Sequence, residues 1–108
     1  MPVYVDDMYK HPMGQFRRMK MSHMIANTEA ELHAMADAIG IDRKWYQHDH
    51  YDVSITMRKA AIKNGAIEIS MRQLVAMCRM IAKGWWSCTP SQACIMRFGK
   101  DYPLSDGE

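Results

Sequence analysis

Apolar residues recur at helical spacing in two stretches of the chain, and both stretches carry start signals. The first begins at a capping box of Thr28 and Glu31 and ends at Gly40, while the second begins at Ser70 with Gln73. The two apolar stripes are Leu32, Met35, Ala36 and Ile39, and Leu74, Met77, Cys78 and Ile81. Both stripes repeat at i, i+3, i+4 and i+7, so the sequence predicts two helices that each bury one face.

Three short runs have the composition and length of strands. Residues 3–5 are β-branched and aromatic, residues 50–53 lead into Ser54, and residues 66–69 alternate in polarity. Ser54 is a suitable N-cap and predicts a third helix, which an Asn-Gly pair ends. The stretch of residues 8–21 contains proline, glycine and several basic side chains, and we interpret it as a loop.

The order of these elements is β-α-β-α-β-α, which favours an α/β fold. We expect a small, mostly parallel sheet with right-handed crossovers and flanking helices. Residues 1–84 form the predicted core domain, and residues 85–108 a C-terminal extension and tail. Within this extension, Thr89-Pro90 predicts a short helix through Met96.

Composition is typical of an ordinary globular protein. Hydrophobic residues make up 48% of the 108 residues, charged residues 24%, and the formal net charge is only +2, which indicates neither disorder nor strong attraction to nucleic acid. The three cysteines lack the paired spacing of a structural zinc site, and no apolar run has the length of a signal peptide or a membrane span. We therefore expect a cytoplasmic protein with reduced thiols and no membrane partner.

Polar residues follow each predicted strand. Asp6 and Asp7 follow the first, Asp52 and Ser54 end the second, and Arg72 comes soon after the third. In a parallel sheet these junctions share one edge, where ligands bind in such folds. Helix N-termini and an arginine suit a phosphate-like anion, whereas aspartates suit a ribose hydroxyl or a divalent cation. The alternative is that the serine only caps its helix and the aspartates only end their strands.

The densest polar cluster is at residues 48–52. If this stretch is extended, His48, His50 and Asp52 share one face and, with Asp6, are a possible set of divalent-metal ligands. The same imidazoles could instead transfer protons or donate hydrogen bonds to a phosphate. No phosphate-binding loop, nucleophile elbow or zinc-protease helix is present, so no motif specifies a reaction.

Two further histidines are candidates for ligand binding. His23 precedes the first helix, and His33 lies off its core stripe, four residues from Glu29, where a solvated charge pair also explains it. The complete set of candidate ligand-binding residues is Asp6, Asp7, Arg17, Arg18, His23, His33, His50, Tyr51, Asp52, Ser54 and Arg72.

Chain length bears on assembly. A domain of 108 residues leaves little room to enclose a drug-sized ligand, so we expect a homo-oligomer in which a neighbouring subunit supplies a wall of the pocket. Trp85 and Trp86, which follow the second of the two striped helices, are the candidate interface residues. Lys10, Arg17, Arg18 and Lys20 form a basic cluster that is a weaker candidate for nucleic-acid binding.

Several of these segments together resemble a known family. They are Val-Tyr-Val-Asp-Asp at 3–7, Ser22-His23, Glu31-Leu32-His33 with Ala36 and Gly40, Asp49-His50-Tyr51-Asp52, and Gly65-Ala66. Over residues 3–75 this combination is similar to the family catalogued as domain of unknown function 4031. The resemblance implies a phage or bacterial cytoplasmic setting and carries no catalytic residues with it.

Two functional hypotheses follow, with a weaker third. The first is a binding module of phage type that sequesters a nucleotide-like anionic ligand in a pocket shared between subunits, countering a host defence signal. The second is an enzyme, a metal-assisted phosphohydrolase or nuclease that uses Asp6, His50 and Asp52. The third is nucleic-acid binding through the basic loop of residues 10–20.

Overall fold

A computed structural model describes residues 2–16, 19–84 and 89–98. Within these ranges the chain forms β1 (Val3–Val5), β2 (Gln15–Phe16), β3 (Met19–Ala26), α1 (Glu29–Ile39), β4 (Tyr51–Ser54), α2 (Ile55–Lys63), β5 (Ile67–Glu68), α3 (Met71–Ala82) and α4 (Pro90–Phe98). Short 3-10 turns occupy Met8–Lys10, Pro12–Gly14 and Arg43–Trp45.

The sheet is mixed, and the prediction of a mostly parallel sheet is wrong. Its main strands lie in the order β4-β3-β1-β5, and β2 pairs with the start of β3. Of the pairs, β1–β5 is parallel, whereas β3 is antiparallel to β1, β2 and β4. The predicted β-α-β-α-β-α order fails because β3, which begins inside the expected loop of residues 8–21, is the central strand.

The central strand still leaves its neighbours pointing the same way. Because β3 is antiparallel to both β1 and β4, and β5 is parallel to β1, the strands β1, β4 and β5 run in one direction. Ser54 and Ser70 therefore start their helices at the same end of the sheet. Each serine hydroxyl accepts a backbone N–H of its helix, Ser54 from Met57 at 3.3 Å and Ser70 from Gln73 at 3.1 Å, as N-caps do.

Helix boundaries agree with the sequence signals. Thr28 accepts the N–H of Glu31 at 3.3 Å at the start of α1, and Gly40 ends it in the left-handed region at φ 84°, where glycine carries no steric penalty. The full capping box of Ser70 and Gln73 is present at α3. None of the helices in the described ranges is long and apolar enough to cross a membrane.

Helices cover both faces of the sheet. On one face α1 and α2 pack against a core that includes Val5, Met24 and Tyr51. On the other, α3 and α4 pack over Tyr4 and Ile25. The short α4, predicted as part of an extension, buries Ala93 and Cys94 in this second core. Each fully buried large apolar side chain contributes roughly 1.5–3 kcal/mol, so the two cores hold the sheet between helical layers.

Candidate functional site

A row of polar residues crosses the sheet at the end of β1. The backbone N–H of Asp6 donates to the carbonyl of His23 at 3.0 Å, and His23 is paired with Asp52 in the register of β3 and β4. Side chains alternate along strands, and the next row, with Met24 and Tyr51, faces α1 and α2. His23 and Asp52 therefore face the α3 side of the sheet.

His50, directly before β4, lies beside this row. Potential ligand atoms of His23, His50 and Asp52 (the His–His–Asp group) all lie within 4.8 Å of one another. The two imidazole rings meet edge to face with centroids 5.0 Å apart, and Nε2 of His50 lies 3.4 Å from Oδ1 of Asp52. Two imidazoles and one carboxylate at this spacing are the donor set of many zinc and iron sites.

Each member of the group is held by a second polar side chain on its other side. The pairs are Asp6 Oδ2 with His23 Nδ1 at 2.8 Å, Asp49 Oδ1 with His50 Nδ1 at 2.6 Å, and Gln47 Nε2 donating to Asp52 Oδ2 at 2.8 Å. We call Asp6, Asp49 and Gln47 the outer partners. Such partners fix the orientation and tautomer of metal-ligating histidines, so the group is preorganised by its own neighbours.

Asp6 is the most enclosed of the outer partners, with 0% of its surface exposed. Its Oδ1 accepts the N–H of Met8 at 3.2 Å and the N–H of His23 at 2.8 Å, in addition to the Oδ2 contact with the His23 ring. The hydrogen bond to Asp6 raises the pKa of His23 above its usual value, although burial opposes the shift. The carboxylate therefore favours a ring that carries its proton on Nδ1.

A cleft of about 690 Å³ adjoins the group, between the start of α1 and the second half of α3. Its lining consists of Ile25, Ala26, Thr28, Glu29, Leu32, Tyr46, His48, Asp49, Cys78, Ile81, Ala82 and Gly84. Asp49 belongs both to this lining and to the outer partners, so the cleft and the His–His–Asp group share one side chain, although His23, His50 and Asp52 are not among the lining residues. Burial raises the pKa of the Cys78 thiol to about 12, so this cysteine is a neutral part of the wall.

Comparison with known proteins gives one result. The sequence profile of the family described as "Protein of unknown function (DUF4031)" matches residues 3–81, most of the chain. The chain belongs to the DUF4031 family. This confirms the resemblance drawn from the sequence over residues 3–75. Neither the curated proteins nor the solved structures contain a match.

The set of metal ligands expected from the sequence of this DUF4031 chain, His48, His50 and Asp52, differs from the His–His–Asp group by one residue. His50 and Asp52 come together as expected, but His23 takes the place assigned to His48. His48 has a left-handed backbone, with φ 71°, so residues 48–52 are not continuously extended and the alternation that would align His48 is broken. Asp6 contacts the group through His23 as an outer partner.

His33 and Tyr51 lie on the opposite face of the DUF4031 sheet. Nδ1 of His33 is 2.6 Å from the hydroxyl of Tyr51, and its Nε2 is 3.1 Å from Glu29. The charge pair with Glu29 was expected, but the His33 side chain is only 15% exposed and is not a solvated helix residue. Burial also raises the pKa of Tyr51. The contact braces β4 against α1.

The remaining candidates lie at the end of the sheet that β1, β4 and β5 share, or outside the described residues. Asp7 accepts the N–H of Met71 at 2.9 Å and thereby holds the start of α3. Arg72 is the second residue of that helix, and Ser54 is the N-cap of α2. Arg17, Arg18, Trp85 and Trp86 fall outside the described residues.

Arg58 is a structural residue that sequence reasoning missed. Only 6% of it is exposed, and its Nε donates to the backbone carbonyl of Asp6 at 2.8 Å. The guanidinium also pairs with Glu68 at 3.1 Å and lies 4.7 Å from the ring centroid of Tyr9. These contacts tie α2 to the end of β1 and to β5. The only signal in the sequence is its spacing, three residues before the buried Ala61 of the same helix.

Proposed function

We propose that this chain is a metal-dependent hydrolase whose divalent ion is bound by His23, His50 and Asp52. The observation that carries the proposal is the pairing of every member of the His–His–Asp group with an outer partner. A cluster of surface histidines that forms by chance has no reason to be oriented in this way. Ligands of catalytic metals, by contrast, have their second polar atom engaged.

The donor set indicates both the kind of metal and the kind of chemistry. Imidazole nitrogens suit zinc, iron, copper and nickel better than magnesium or calcium, which prefer oxygen ligands. Three protein ligands leave at least one coordination position for water or substrate. A divalent ion bound there would acidify a coordinated water and polarise the oxygen of a scissile group. Hydrolysis therefore fits the site without any further cofactor.

This proposal develops the enzyme hypothesis drawn from the sequence, with changed roles for its residues. Asp6, expected to be a ligand, acts as a positioning residue, because its carboxylate is engaged by the ring and backbone of His23. His50 and Asp52 keep their roles as ligands. His23 supplies the third ligand, and because Asp6 uses Nδ1, the ring nitrogen left for the metal is Nε2.

The binding-module hypothesis has less support from the site. The described lining of the cleft holds no lysine or arginine, and besides the imidazole of His48 it carries the carboxylates of Glu29 and Asp49, so the balance of charge there disfavours a nucleotide-like anion. A cleft of about 690 Å³ within one chain also falls in the range of roughly 300–1,000 Å³ typical of small-molecule sites, so chain length no longer requires a shared pocket. Sequestration, a homo-oligomer and nucleic-acid binding stay predictions.

A hydrolysis assay with metal-stripped protein tests the proposal. The chain would be freed of metal with a chelator, reloaded with Zn²⁺, and assayed against chromogenic carboxylic esters, anilides and phosphate esters. We expect turnover of at least one class that requires zinc. It should fall by at least about a hundredfold in His23→Ala, which removes a ligand nitrogen, and in Asp52→Asn, which replaces an anionic carboxylate ligand with a weakly coordinating amide. His11→Ala is the matched control, because His11 is exposed and lies outside the group.

Two results would contradict the proposal. One is zinc-independent turnover that persists in His23→Ala and Asp52→Asn. The other is the absence of zinc-dependent turnover in all three substrate classes with protein shown to contain bound zinc.

A further inference from the structure

The charge around the His–His–Asp group is negative even with a metal in place. Asp52 is a ligand, and the carboxylates of Asp6 and Asp49 contact the two ligand histidines directly. Three carboxylates outnumber the two charges of a divalent ion. Arg58, whose guanidinium donates to the backbone carbonyl of Asp6, also pairs with Glu68, so its positive charge is already balanced by a carboxylate.

The cleft beside the group also carries negative charge. Its charged members within the described chain are Glu29 and Asp49, both carboxylates with more than half of their side chains exposed. Between them the walls are mainly apolar, with Ile25, Leu32 and Ile81 among the lining residues. Like charges near a protein surface repel one another, and the repulsion adds up over several carboxylates. A phosphate ester would therefore meet carboxylates both at the metal and along the cleft.

The shape of the cleft favours an organic group of moderate size. Its volume of about 690 Å³ suits a small molecule or a few residues of a peptide. The ring of Tyr46 forms part of the wall and is itself fixed edge to face against His33, with centroids 4.6 Å apart. An apolar body would bury against these walls, and a positive charge on it would lie near Glu29 or Asp49.

Building on the hydrolase proposed above, we infer that its substrate is a carboxylic ester or amide with an apolar body and a positively charged ammonium group, and not a phosphate ester. The reaction is complete with water alone. The water oxygen bonds to the acyl carbon, the C–O or C–N bond to the leaving group breaks, and protons from water pass to the leaving group and solvent. No oxidant or reductant is needed.

A matched series of leucine p-nitroanilides tests this inference. The free α-amino compound is cationic, the N-acetyl compound neutral and the N-succinyl compound anionic, while bis(p-nitrophenyl) phosphate represents phosphate esters. With zinc-loaded protein we expect kcat/KM to fall along the series by about fivefold at each step, the size of a partly exposed ion pair. The phosphate ester should be the poorest substrate.

Glu29→Gln isolates the contribution of the cleft. This variant should lower kcat/KM for the cationic anilide several-fold and leave the acetylated one within about twofold, because it removes charge without changing size. Asp42→Asn is the matched control, since Asp42 caps the turn after α1 and is not a lining residue.

The outcomes separate this inference from the proposed function. Zinc-dependent cleavage with the phosphate ester as the best substrate would overturn the inference and leave the hydrolase standing. Equal rates for the cationic, neutral and anionic anilides would overturn it as well. If zinc-loaded protein cleaves none of the four compounds, the inference fails, and the broader ester panel then decides whether the hydrolase fails with it.

Discussion

The carboxylate of Asp6 holds His23 at two points, the ring Nδ1 at 2.8 Å and the backbone N–H at 2.8 Å. One side chain thus sets both the position of the strand segment and the rotation of the imidazole. Asp6 is fully buried, so water cannot easily replace either bond. This relationship turns a histidine in the middle of a strand into a preorganised ligand.

Asp6→Asn tests this positioning role. The amide keeps the size of the side chain but removes the charge and one acceptor, so we expect zinc affinity to fall by about 10- to 100-fold and the zinc-free fold to lose about 1–3 kcal/mol. Zinc competition titration and urea unfolding measure the two effects. Asp7→Asn is the control: Asp7 holds the N–H of Met71 and should leave zinc affinity unchanged. Equal zinc affinity in wild type and Asp6→Asn would show that Asp6 does not position His23 for metal binding.

The contact between Tyr51 and His33 should matter for stability and not for metal binding. Tyr51→Phe removes a hydroxyl that lies 2.6 Å from Nδ1 of His33 and should cost about 1 kcal/mol of unfolding free energy. A double-mutant cycle with His33→Gln should be non-additive, since the two residues touch. Because Tyr51 faces the α1 side, its loss should shift zinc affinity by less than about threefold. A large loss of zinc affinity would show that the two faces are coupled.

The Cys78 thiol should be inert to alkylation near neutral pH. Only the thiolate reacts with iodoacetamide, and burial raises the pKa of Cys78 to about 12, so the reactive form is scarce at pH 8 and increases only as the pH approaches that value. Peptide mass spectrometry should find Cys78 unlabelled in the native protein and labelled in urea. Labelling of native Cys78 at the unfolded rate at pH 8 would contradict a partly buried, neutral thiol.

Gly14 is required by a close approach of the backbone. A Cβ at this position would overlap the carbonyl group of Met8 and contact the carbonyl oxygen of Met21, so the chain could not pass so near to β3. We expect Gly14→Ala to destabilise the fold by about 1–3 kcal/mol. Met13→Ala is the neighbouring control, since Met13 is 70% exposed, and should change stability by less than about 0.5 kcal/mol. Similar unfolding midpoints for the two variants would refute the steric argument.

Local signals predicted the helices but could not predict the central strand. The caps at Thr28, Ser54 and Ser70 act within a few residues of themselves, and all three are present. The strand Met19–Ala26 is rich in methionine, which has no strong strand preference. It becomes a strand because β1, β2 and β4 pair with it. The pairings with β1 and β4, which place it at the centre of the sheet, are long-range contacts.

The candidate site was predicted only in part, because local patterns bring together residues of one strand but not residues of two paired strands. Asp52 lies on β4 and His50 directly precedes that strand, so alternation along one short segment placed both on one face. That His23 belongs to the group follows only from the pairing of β3 with β4. That His48 does not belong to it follows only from the left-handed backbone of His48. The sequence clue to His23 is its place within residues 19–26, which could have been interpreted as a strand.

A zinc titration of the metal-free chain and two single variants tests the central claim most directly. Wild type should bind one Zn²⁺ per chain, with Mg²⁺ unable to compete at equal concentration. At about a hundredfold excess over Kd, zinc should stabilise the fold by about 2.7 kcal/mol. His50→Ala should abolish both effects, while His48→Ala, two residues away but outside the His–His–Asp group, should retain both. Failure of wild type to bind zinc, or equal loss in the two variants, would contradict the account.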